Sequence, residues 1–483
     1  MQDKCLNEEN INQNIVRMQY AVRGPIVQRA AELEQQLQGP EGQSLPFKSI
    51  VRCNIGDCHA TGQMPITFLR QVCAGLVSKE TCEANLPADV KLRIDRILAS
   101  CPGCSVGSYS ASTGVEVIRR DIAAFLTERD GISCDFNNIF LSSGASEAIK
   151  LVLSLMSTGG EGAGKAGFMV PIPQYPLYSA SVAELNAFQM SYYLDESTHW
   201  GLQLSELERA YDEAKTLCIP KAIVVINPGN PTGQILSKDD MKMVIKFARK
   251  RKLVILSDEV YQFNIYQPDK HPWSSFKSVL MEMGPGYADV QELVSFMSAS
   301  KGYMGECGFR GGFAELVNID PKVQAQLYKC LTAKLCPTVV GQAMIGTVCN
   351  PPKPNEPSYE LFMKEKNQVL SDLANKAKLT SETLNSLPGI SCNPVTGAMY
   401  AFPRINLPEK AIQAAKSQGM EPDFMYCLEL LNTKGICVVP GSGFGQIPGT
   451  YHFRITILPP VELMQTVMKD IKQFHHDFMQ KYS

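Results

Sequence analysis

Three reactive side chains stand in the middle of the chain, two of them where the sequence predicts a buried strand to end. Asp258 ends one apolar run, Lys301 follows another after Ser298-Ala299-Ser300, and Arg310 lies nine residues further on. A lysine amine can condense with an aldehyde, a buried carboxylate can pair with a protonated ring nitrogen, and a guanidinium can bind a phosphate. Together these residue types predict chemistry on a phosphorylated aromatic aldehyde.

Asn230 and Tyr261 add two hydrogen-bond donors to this set. Both could bind a ring oxygen, so the combination predicts a pyridoxal phosphate site. Lys301 would be the imine-forming amine and, once a substrate releases it, the base that moves a proton from the substrate Cα to the cofactor. Asp258 would keep the pyridine nitrogen protonated. Taken singly, a solvated surface lysine and a helix N-cap aspartate are the alternatives.

Further residues could hold the phosphate and the ring. The segment Ser143-Gly144-Ala145-Ser146 lies between a predicted strand and a predicted helix, where free backbone N–H groups and the helix dipole favour an anion. Ser298 and Ser300 would add hydroxyl donors beside Arg310. Tyr175 could stack on the pyridine face, and a core or turn aromatic is the alternative.

Arg454 lies in the run Tyr451-His452-Phe453-Arg454-Ile455-Thr456, which predicts a strand. An arginine that faces inward from an apolar strand needs an anion. A substrate α-carboxylate would fit the parallel donors of its guanidinium. An outward-facing arginine is the alternative.

Two short motifs suggest other chemistry. Ser298-Ala299-Ser300-Lys301 satisfies the S-x-x-K pattern of serine acyl-enzymes, but the accompanying S-D-N and K-T-G elements are missing from the sequence. Cys101-Pro102-Gly103-Cys104 has no second pair at zinc-ribbon spacing. We therefore predict no metal site.

From about residue 139 the chain alternates between apolar runs and helical patterns. Continuous apolar strands separated by helices predict an α/β fold with a mostly parallel sheet covered on both faces. Ligands bind beyond the carboxyl ends of the strands in such sheets, and Asn230, Asp258 and Lys301 each follow one of those ends. The strands predicted for this sheet are 139–141, 168–170, 222–226, 253–256 and 293–297.

Prolines between residues 350 and 355 predict a domain boundary. Beyond it the patterns predict a long helix at 365–387, strands at 398–402, 436–439 and 452–457, and a final helix from 460 to about 482. We expect residues 1–70 to form an N-terminal arm and part of a small domain, residues 71–349 a large cofactor-binding domain, and residues 350–483 the C-terminal small domain.

The composition is that of an ordinary globular protein. The chain has 483 residues, 45% hydrophobic and 19% charged, with a formal net charge of -2. This balance gives no electrostatic reason to expect nucleic acid or a membrane surface as a partner. Sixteen scattered cysteines indicate reduced thiols, and the acidic N-terminal segment lacks the features of a signal peptide or presequence. We expect a cytosolic protein.

Several segments resemble a known family. Together they are similar to the fold-type I aminotransferases and, more closely, to the alanine aminotransferase family, over nearly the whole chain. The segments are Tyr20-Ala21-Val22-Arg23-Gly24-Pro25-Ile26-Val27, Asn54-Ile55-Gly56-Asp57, the run from Pro171 to Ala180, the run from Asn227 to Gly233, Lys301-Gly302-Tyr303-Met304-Gly305-Glu306-Cys307-Gly308 and Val438-Val439-Pro440-Gly441-Ser442-Gly443-Phe444-Gly445.

The resemblance implies a seven-stranded sheet in the large domain and reversible transfer of an amino group from L-alanine to 2-oxoglutarate, giving pyruvate and L-glutamate. It implies Lys301 as the imine lysine, Arg454 as the carboxylate clamp and Gly56 near the substrate, with Asn230 also on the substrate side. Tyr175 would face the substrate as well. It further implies a homodimer with active sites at the subunit interface.

In that homodimer Tyr109 would reach the partner subunit's cofactor phosphate. The pair Cys58-His59, beside the Asn54 to Asp57 segment, departs from the family pattern and bears on fine specificity. Another transaminase, or a lyase with the same cofactor grip, is the alternative within this class. A non-catalytic ligand sensor is the alternative from a different class, and the presence of both Lys301 and Asp258 argues against it.

Overall fold

The computed structural model describes residues 5–20 and 24–483. The first four residues and Ala21-Val22-Arg23, part of the first resembling segment, lie outside the described residues. Within the described ranges, no helix combines the length and the apolar character needed to cross a membrane.

Short and long strands are spread over the whole chain. The strands are β1 Val51–Arg52, β2 Ile139–Ser142, β3 Ala166–Ile172, β4 Phe188–Tyr193, β5 Ile219–Ile226, β6 Val254–Asp258, β7 Leu293–Ser298, β8 Gly312–Val317, β9 Ile390–Ser391, β10 Tyr400–Ala401, β11 Arg404–Ile405, β12 Ile436–Cys437, β13 Val439–Pro440 and β14 Phe453–Thr456.

Helices lie between most of these strands. The helices are α1 Gln13–Arg17, α2 Pro25–Gln38, α3 Thr67–Val77, α4 Lys79–Cys82, α5 Ala88–Ala99, α6 Glu116–Asp130, α7 Ala145–Met156, α8 Leu177–Glu184, α9 Leu204–Ala214, α10 Lys238–Arg251, α11 Phe276–Glu282, α12 Pro285–Ala288, α13 Pro321–Ala333, α14 Val339–Cys349, α15 Tyr359–Asn385, α16 Glu409–Ser417, α17 Pro422–Lys434 and α18 Val461–Lys481.

The main sheet of the described chain has seven strands in the order β2-β8-β7-β6-β5-β3-β4. The pairs β3–β4, β3–β5, β5–β6 and β6–β7 are parallel, and β8 runs antiparallel to both of its neighbours. Every residue of β3 and of β7 is buried, because helices cover both faces of the sheet. The predicted α/β fold with a mostly parallel, seven-stranded sheet is confirmed.

Helix α10 shows how the sequence places two strand ends side by side. Its N-cap Ser237 and Asp240 form a capping box, and its last turn is basic, so both helix ends are stabilised locally. The helix carries the chain from the end of β5 to the start of β6. Asn230 and Asp258 therefore emerge at the same edge of the sheet.

The N-terminal segment joins the C-terminal part of the chain. Strand β1 pairs in parallel with β12, and β10, β14 and β13 form a three-stranded antiparallel sheet. Residues just after β1 consequently lie near β14, which carries Arg454. The domain limits at residues 70 and 349 stay a prediction.

Candidate active site

A cavity of about 820 Å³ lies at the carboxyl ends of β5, β6 and β7. Its other wall is formed by the segment after β1 together with β10 and β14. The predicted site residues that line it are Gly56, Ala145, Ser146, Tyr175, Asn230, Asp258, Tyr261, Ser298, Ser300, Lys301, Arg310 and Arg454. A groove of about 960 Å³ beside α15 contains none of them.

Tyr109 lies apart from this cavity. Its side chain is 72% exposed, in the loop that precedes α6. The structure therefore does not bring Tyr109 to the site of its own chain.

The amine of Lys301 is held inside the cavity. Lys301 follows β7 by three residues, and its Nζ donates a hydrogen bond of 2.6 Å to the carbonyl oxygen of Gly56. Burial lowers the pKa of the amine, but interactions with Tyr400, Cys307 and Cys58 outweigh burial and leave that pKa above its usual value. The amine therefore lies inside the cavity as a donor to the Gly56 carbonyl.

The carboxylate of Asp258 is buried at the end of β6, with 3% of the residue exposed. It accepts hydrogen bonds from the Tyr178 hydroxyl at 3.0 Å and from the Val260 backbone N–H at 3.4 Å. Burial raises the pKa of Asp258 to about 6, against the opposing effects of these bonds and of Lys301. A buried carboxylate in this state is stabilised by a cation placed beside it.

An anion site is built around Arg310. Its Nη2 donates to the Ser143 carbonyl at 3.0 Å, and its Nη1 donates to the Cys307 carbonyl at 2.9 Å and to Ser300 Oγ at 3.4 Å. Helix α7 begins two residues after Ser143, and its first N–H groups have no intrahelical partner. A Cβ added at Gly144 would lie 2.5 Å from Arg310 Nη2, so glycine permits this close approach.

Arg454 is almost completely buried, with 1% of the residue exposed. Its Nη1 donates to Asn230 Oδ1 at 3.1 Å and its Nη2 donates to the Asn54 carbonyl at 2.7 Å, while none of the described residues is a hydrogen-bond partner of its Nε. Asn230 Nδ2 in turn donates to the Tyr261 hydroxyl at 3.3 Å. No carboxylate of the described residues pairs with Arg454, so its guanidinium is available to an anionic ligand.

Three tyrosines belong to this site that the sequence did not predict. The Tyr20 hydroxyl is 3.0 Å from the Tyr175 hydroxyl, and Tyr178 donates to Asp258. Tyr400 lines the cavity against Arg454 and Tyr261. The position of Tyr178, three residues after Tyr175, was a sequence signal that could have added Tyr178 to the predicted site. The short apolar run around Tyr400 contains no motif.

Comparisons with known proteins agree with this geometry. The model of the family described as aminotransferase class I and II matches residues 83–471. Alanine aminotransferase 2 of Xenopus tropicalis is 53% identical over 483 residues, which cover 100% of this chain and 91% of that protein. Alanine aminotransferase 1 of Homo sapiens is 53% identical over 482 residues, covering 99% and 96% of the two chains. The chain belongs to the alanine aminotransferase family.

The fold is shared with solved structures of much lower identity. An alanine aminotransferase from Pyrococcus furiosus superposes with a TM-score of 0.76 at 21% identity, covering 97% of this chain and 100% of that one. Class I and II aminotransferases use pyridoxal phosphate, so this member of the alanine aminotransferase family is a pyridoxal-phosphate-dependent transaminase.

The donor set of the cavity fits pyridoxal phosphate. The Asp258 carboxylate forms no ion pair within the described chain, and neither does the Arg310 guanidinium. The Lys301 amine lies in the same cavity. A cofactor with a cationic ring nitrogen, an anionic phosphate and an aldehyde complements these three groups.

Proposed function

We propose that the protein catalyses the reversible transfer of an amino group from L-alanine to 2-oxoglutarate, giving pyruvate and L-glutamate by a ping-pong mechanism. One observation carries this proposal. A single cavity is lined by Lys301, by the buried Asp258 and by the buried Arg454. The names of the relatives support alanine as one of the substrates.

The cofactor grip follows from the chemistry of the lining residues. Asp258 would hold the ring nitrogen, and Asn230 and Tyr261 would donate to the ring oxygen. Tyr175 would lie against the ring face. The phosphate would be bound by Ser298, Ser300, Arg310 and the first N–H groups of α7, which begins at Ala145 and Ser146. When bound, the cofactor supplies an aldehyde and an electron-withdrawing ring.

Lys301 would hold the cofactor covalently at rest and move a proton when its amine is free. The proton concerned is the one on the substrate Cα, which must leave before the amino group can be exchanged. The Gly56 carbonyl, 2.6 Å from Nζ, keeps the amine in the cavity. This contact limits the positions that the amine can adopt. Because a confined amine stays near the proton that it would move, the contact favours proton transfer.

Arg454 would bind the α-carboxylate that all four substrates share. The Asn230 side chain and the Asn54 carbonyl fix two of its nitrogens, so the guanidinium is oriented before a substrate arrives. Gly56, Asn230 and Tyr175 line the same side of the cavity. One clamp therefore serves both half-reactions, as a ping-pong mechanism requires.

The test combines the Lys301→Ala variant with a half-reaction screen. Protein loaded with pyridoxal phosphate should be yellow, and alanine or glutamate should bleach it, whereas phenylalanine should not. After borohydride treatment, mass spectrometry should find the cofactor attached to the parent chain and absent from Lys301→Ala. Lys378→Ala, at an exposed position of α15, is the matched control. If Lys301→Ala transaminates alanine at the parent rate, the mechanism is wrong.

We further propose a homodimer in which Tyr109 contributes to the partner's cofactor site. Its 72% exposure on one chain supports a role across an interface, since an aromatic side chain gains most by burial. The test mixes Lys301→Ala chains with Tyr109→Ala chains at limiting cofactor. If Tyr109 acts across the interface, each hybrid dimer has one intact site and activity returns; if it acts within its own chain, no hybrid site is intact.

We propose the cytosol as the compartment, supported by sixteen cysteines that are all free thiols. Fractionation of the source cells with a mitochondrial marker tests this, and co-fractionation with the marker would contradict it.

A further inference from the structure

Tyr400 lies between the arginine that would bind the substrate and the phenol that would bind the cofactor. The guanidinium carbon of Arg454 lies over the Tyr400 ring, 4.2 Å from its centroid. The Tyr400 hydroxyl is 3.4 Å from the Tyr261 hydroxyl, and 2% of the residue is exposed. One buried side chain therefore contacts both functional groups.

These contacts close a ring of four side chains. Arg454 donates to Asn230 at 3.1 Å, Asn230 donates to Tyr261 at 3.3 Å, and Tyr261 lies 3.4 Å from Tyr400. The stacking of Arg454 on Tyr400 completes the ring. A displacement of any member changes the contacts of its two neighbours.

The backbone holds Tyr400 rigidly in this place. Strand β10 pairs with β14, the strand of Arg454, and the Met399 carbonyl accepts bonds from the Thr456 hydroxyl at 3.2 Å and the Ile457 N–H at 3.0 Å. A Cβ added at Gly56 would lie 1.9 Å from the Tyr400 hydroxyl and 3.1 Å from Lys301 Nζ. The hydroxyl therefore occupies the space above Gly56, next to the lysine amine.

We propose that Tyr400 is a positioning residue for the transamination: its ring orients Arg454 toward the substrate carboxylate, and its hydroxyl strengthens the hydrogen bond that Tyr261 gives to the cofactor. This inference rests on the proposed function. In the structure the Tyr261 hydroxyl donates to the Tyr400 hydroxyl. Hydroxyl hydrogens rotate to suit their partners, so when Tyr261 donates to the cofactor instead, Tyr400 would donate to Tyr261. A hydroxyl that accepts a hydrogen bond becomes a stronger donor.

The first test removes only the hydroxyl. Loss of one neutral hydrogen bond in Tyr400→Phe should raise the pH midpoint of the cofactor absorbance by about half a unit, because the ring oxygen then carries its negative charge less readily. The titratable and charged groups that face Tyr400 are Tyr261, Lys301, Tyr175, Tyr266 and Arg454. They are unchanged in the variant.

The matched control is Tyr426→Phe. Tyr426 is also fully buried, and its hydroxyl lies 3.0 Å from His475 Nδ1 in a different part of the molecule. This variant loses a buried hydrogen bond without touching the cavity. The absorbance midpoint should stay at the parent value.

The second test removes the ring. Tyr400→Leu should raise KM for alanine and for 2-oxoglutarate by about tenfold, the loss of a buried cation–π contact, and should change kcat less. The dissociation constant of propionate, a carboxylate that cannot react, should rise by the same factor. A lower melting temperature with unchanged absorbance midpoint, KM and propionate binding would overturn the inference. Failure of the parent protein to show a cofactor absorbance would instead overturn the proposed function.

Discussion

Asp258 and Arg454 are buried charges that form no ion pair with any residue the structure describes. Charged groups are costly to bury unless they are paired, so most proteins neutralise them internally. Here the described residues supply hydrogen bonds, from Tyr178 and Val260 to the acid and from the arginine to Asn54 and Asn230, and the Tyr400 ring against the arginine, but no opposite charge in an ion pair. Cofactor and substrate would each bring the missing opposite charge. The free-energy cost of burying an unpaired charge would then favour the binding of ligands that carry the complementary charge.

We predict that Arg454→Ala weakens substrate binding far more than cofactor binding. Removing one partner of a buried charge pair costs about 2–5 kcal/mol, so KM for alanine and 2-oxoglutarate should rise about thirtyfold or more. The dissociation constant of pyridoxal phosphate should change little. Steady-state kinetics and absorbance titration measure the two effects. Arg120→Ala, at a side chain 55% exposed, is the control, and equal losses of both affinities in Arg454→Ala would contradict the assigned role.

Residue type and position along the chain were enough to predict several polar members of the proposed site. Lys301, Asp258 and Asn230 could be found because each follows an apolar strand, and such strand ends share one edge of a parallel sheet. Tyr400 and Tyr178 could not be found in this way. Their contacts depend on how distant segments pack, as the pairing of β10 with β14 shows.

The ends of strands and helices position the residues of the proposed site. Three parallel strands of the main sheet deliver Asn230, Asp258 and Lys301, while helix α7 points its N-terminus at Arg310. The link between helix and arginine is Gly144, whose φ of 83° and missing side chain admit the guanidinium. The proposed phosphate site would therefore depend on one backbone position.

We predict that Gly144→Ala weakens pyridoxal phosphate binding by at least about tenfold and leaves the binding of unphosphorylated pyridoxal nearly unchanged. The new Cβ would displace Arg310, and a charge-assisted hydrogen bond contributes about 1.5–3 kcal/mol. Equilibrium titration of the cofactor-free protein with both compounds measures this. Gly131→Ala is the control, because Gly131 also has a positive φ, 67°, but its added Cβ would meet nothing within 4 Å. Equal losses for the two compounds would contradict the role of Arg310.

Two strands of the main sheet, β4 and β8, were absent from the sequence prediction, for physical reasons. Strand β8 contains Glu315, which breaks the apolar run, and the structure buries it in an ion pair with Lys277. Strand β4 lies at the sheet edge and includes the half-buried polar residues Gln189 and Ser191. An apolar-run criterion detects neither a strand with a neutralised buried charge nor a strand in which polar residues alternate with apolar ones.

At the scale of the whole molecule, the proposed cofactor site contains buried acids whose ionisation destabilises the folded protein. Asp258 is the last residue of β6 and Glu259 follows it, and both are buried. Burial raises the pKa of Asp258 to about 6 from 3.8 and that of Glu259 to about 7 from 4.5. Between about pH 4 and pH 7 the folded, cofactor-free protein therefore retains protons that the unfolded chain has released.

This difference fixes the sign of a pH dependence. Stability falls as pH rises wherever the folded state binds more protons, so both acids should destabilise the cofactor-free protein increasingly up to about pH 7 and then by a constant amount. The pKa changes correspond to about 3 kcal/mol for each group at high pH. A cationic ring nitrogen beside Asp258 would cancel the destabilisation that Asp258 contributes. The destabilisation that Glu259 contributes would remain.

We therefore predict that raising the pH from 4.5 to 8 lowers the free energy of unfolding of cofactor-free Asp258→Asn by about 2 kcal/mol less than it lowers that of the cofactor-free parent. Comparing the two pH values removes any constant effect of the amide on the Tyr178 bond. Urea unfolding of both proteins measures it. Glu259→Gln is the control, since it should change the pH slope equally with and without pyridoxal phosphate, whereas the effect of Asp258→Asn should vanish or reverse when the cofactor is bound. An Asp258→Asn effect independent of pH would mean that the carboxylate already has a cationic partner in the folded chain, and the case for a ring nitrogen beside it would fail.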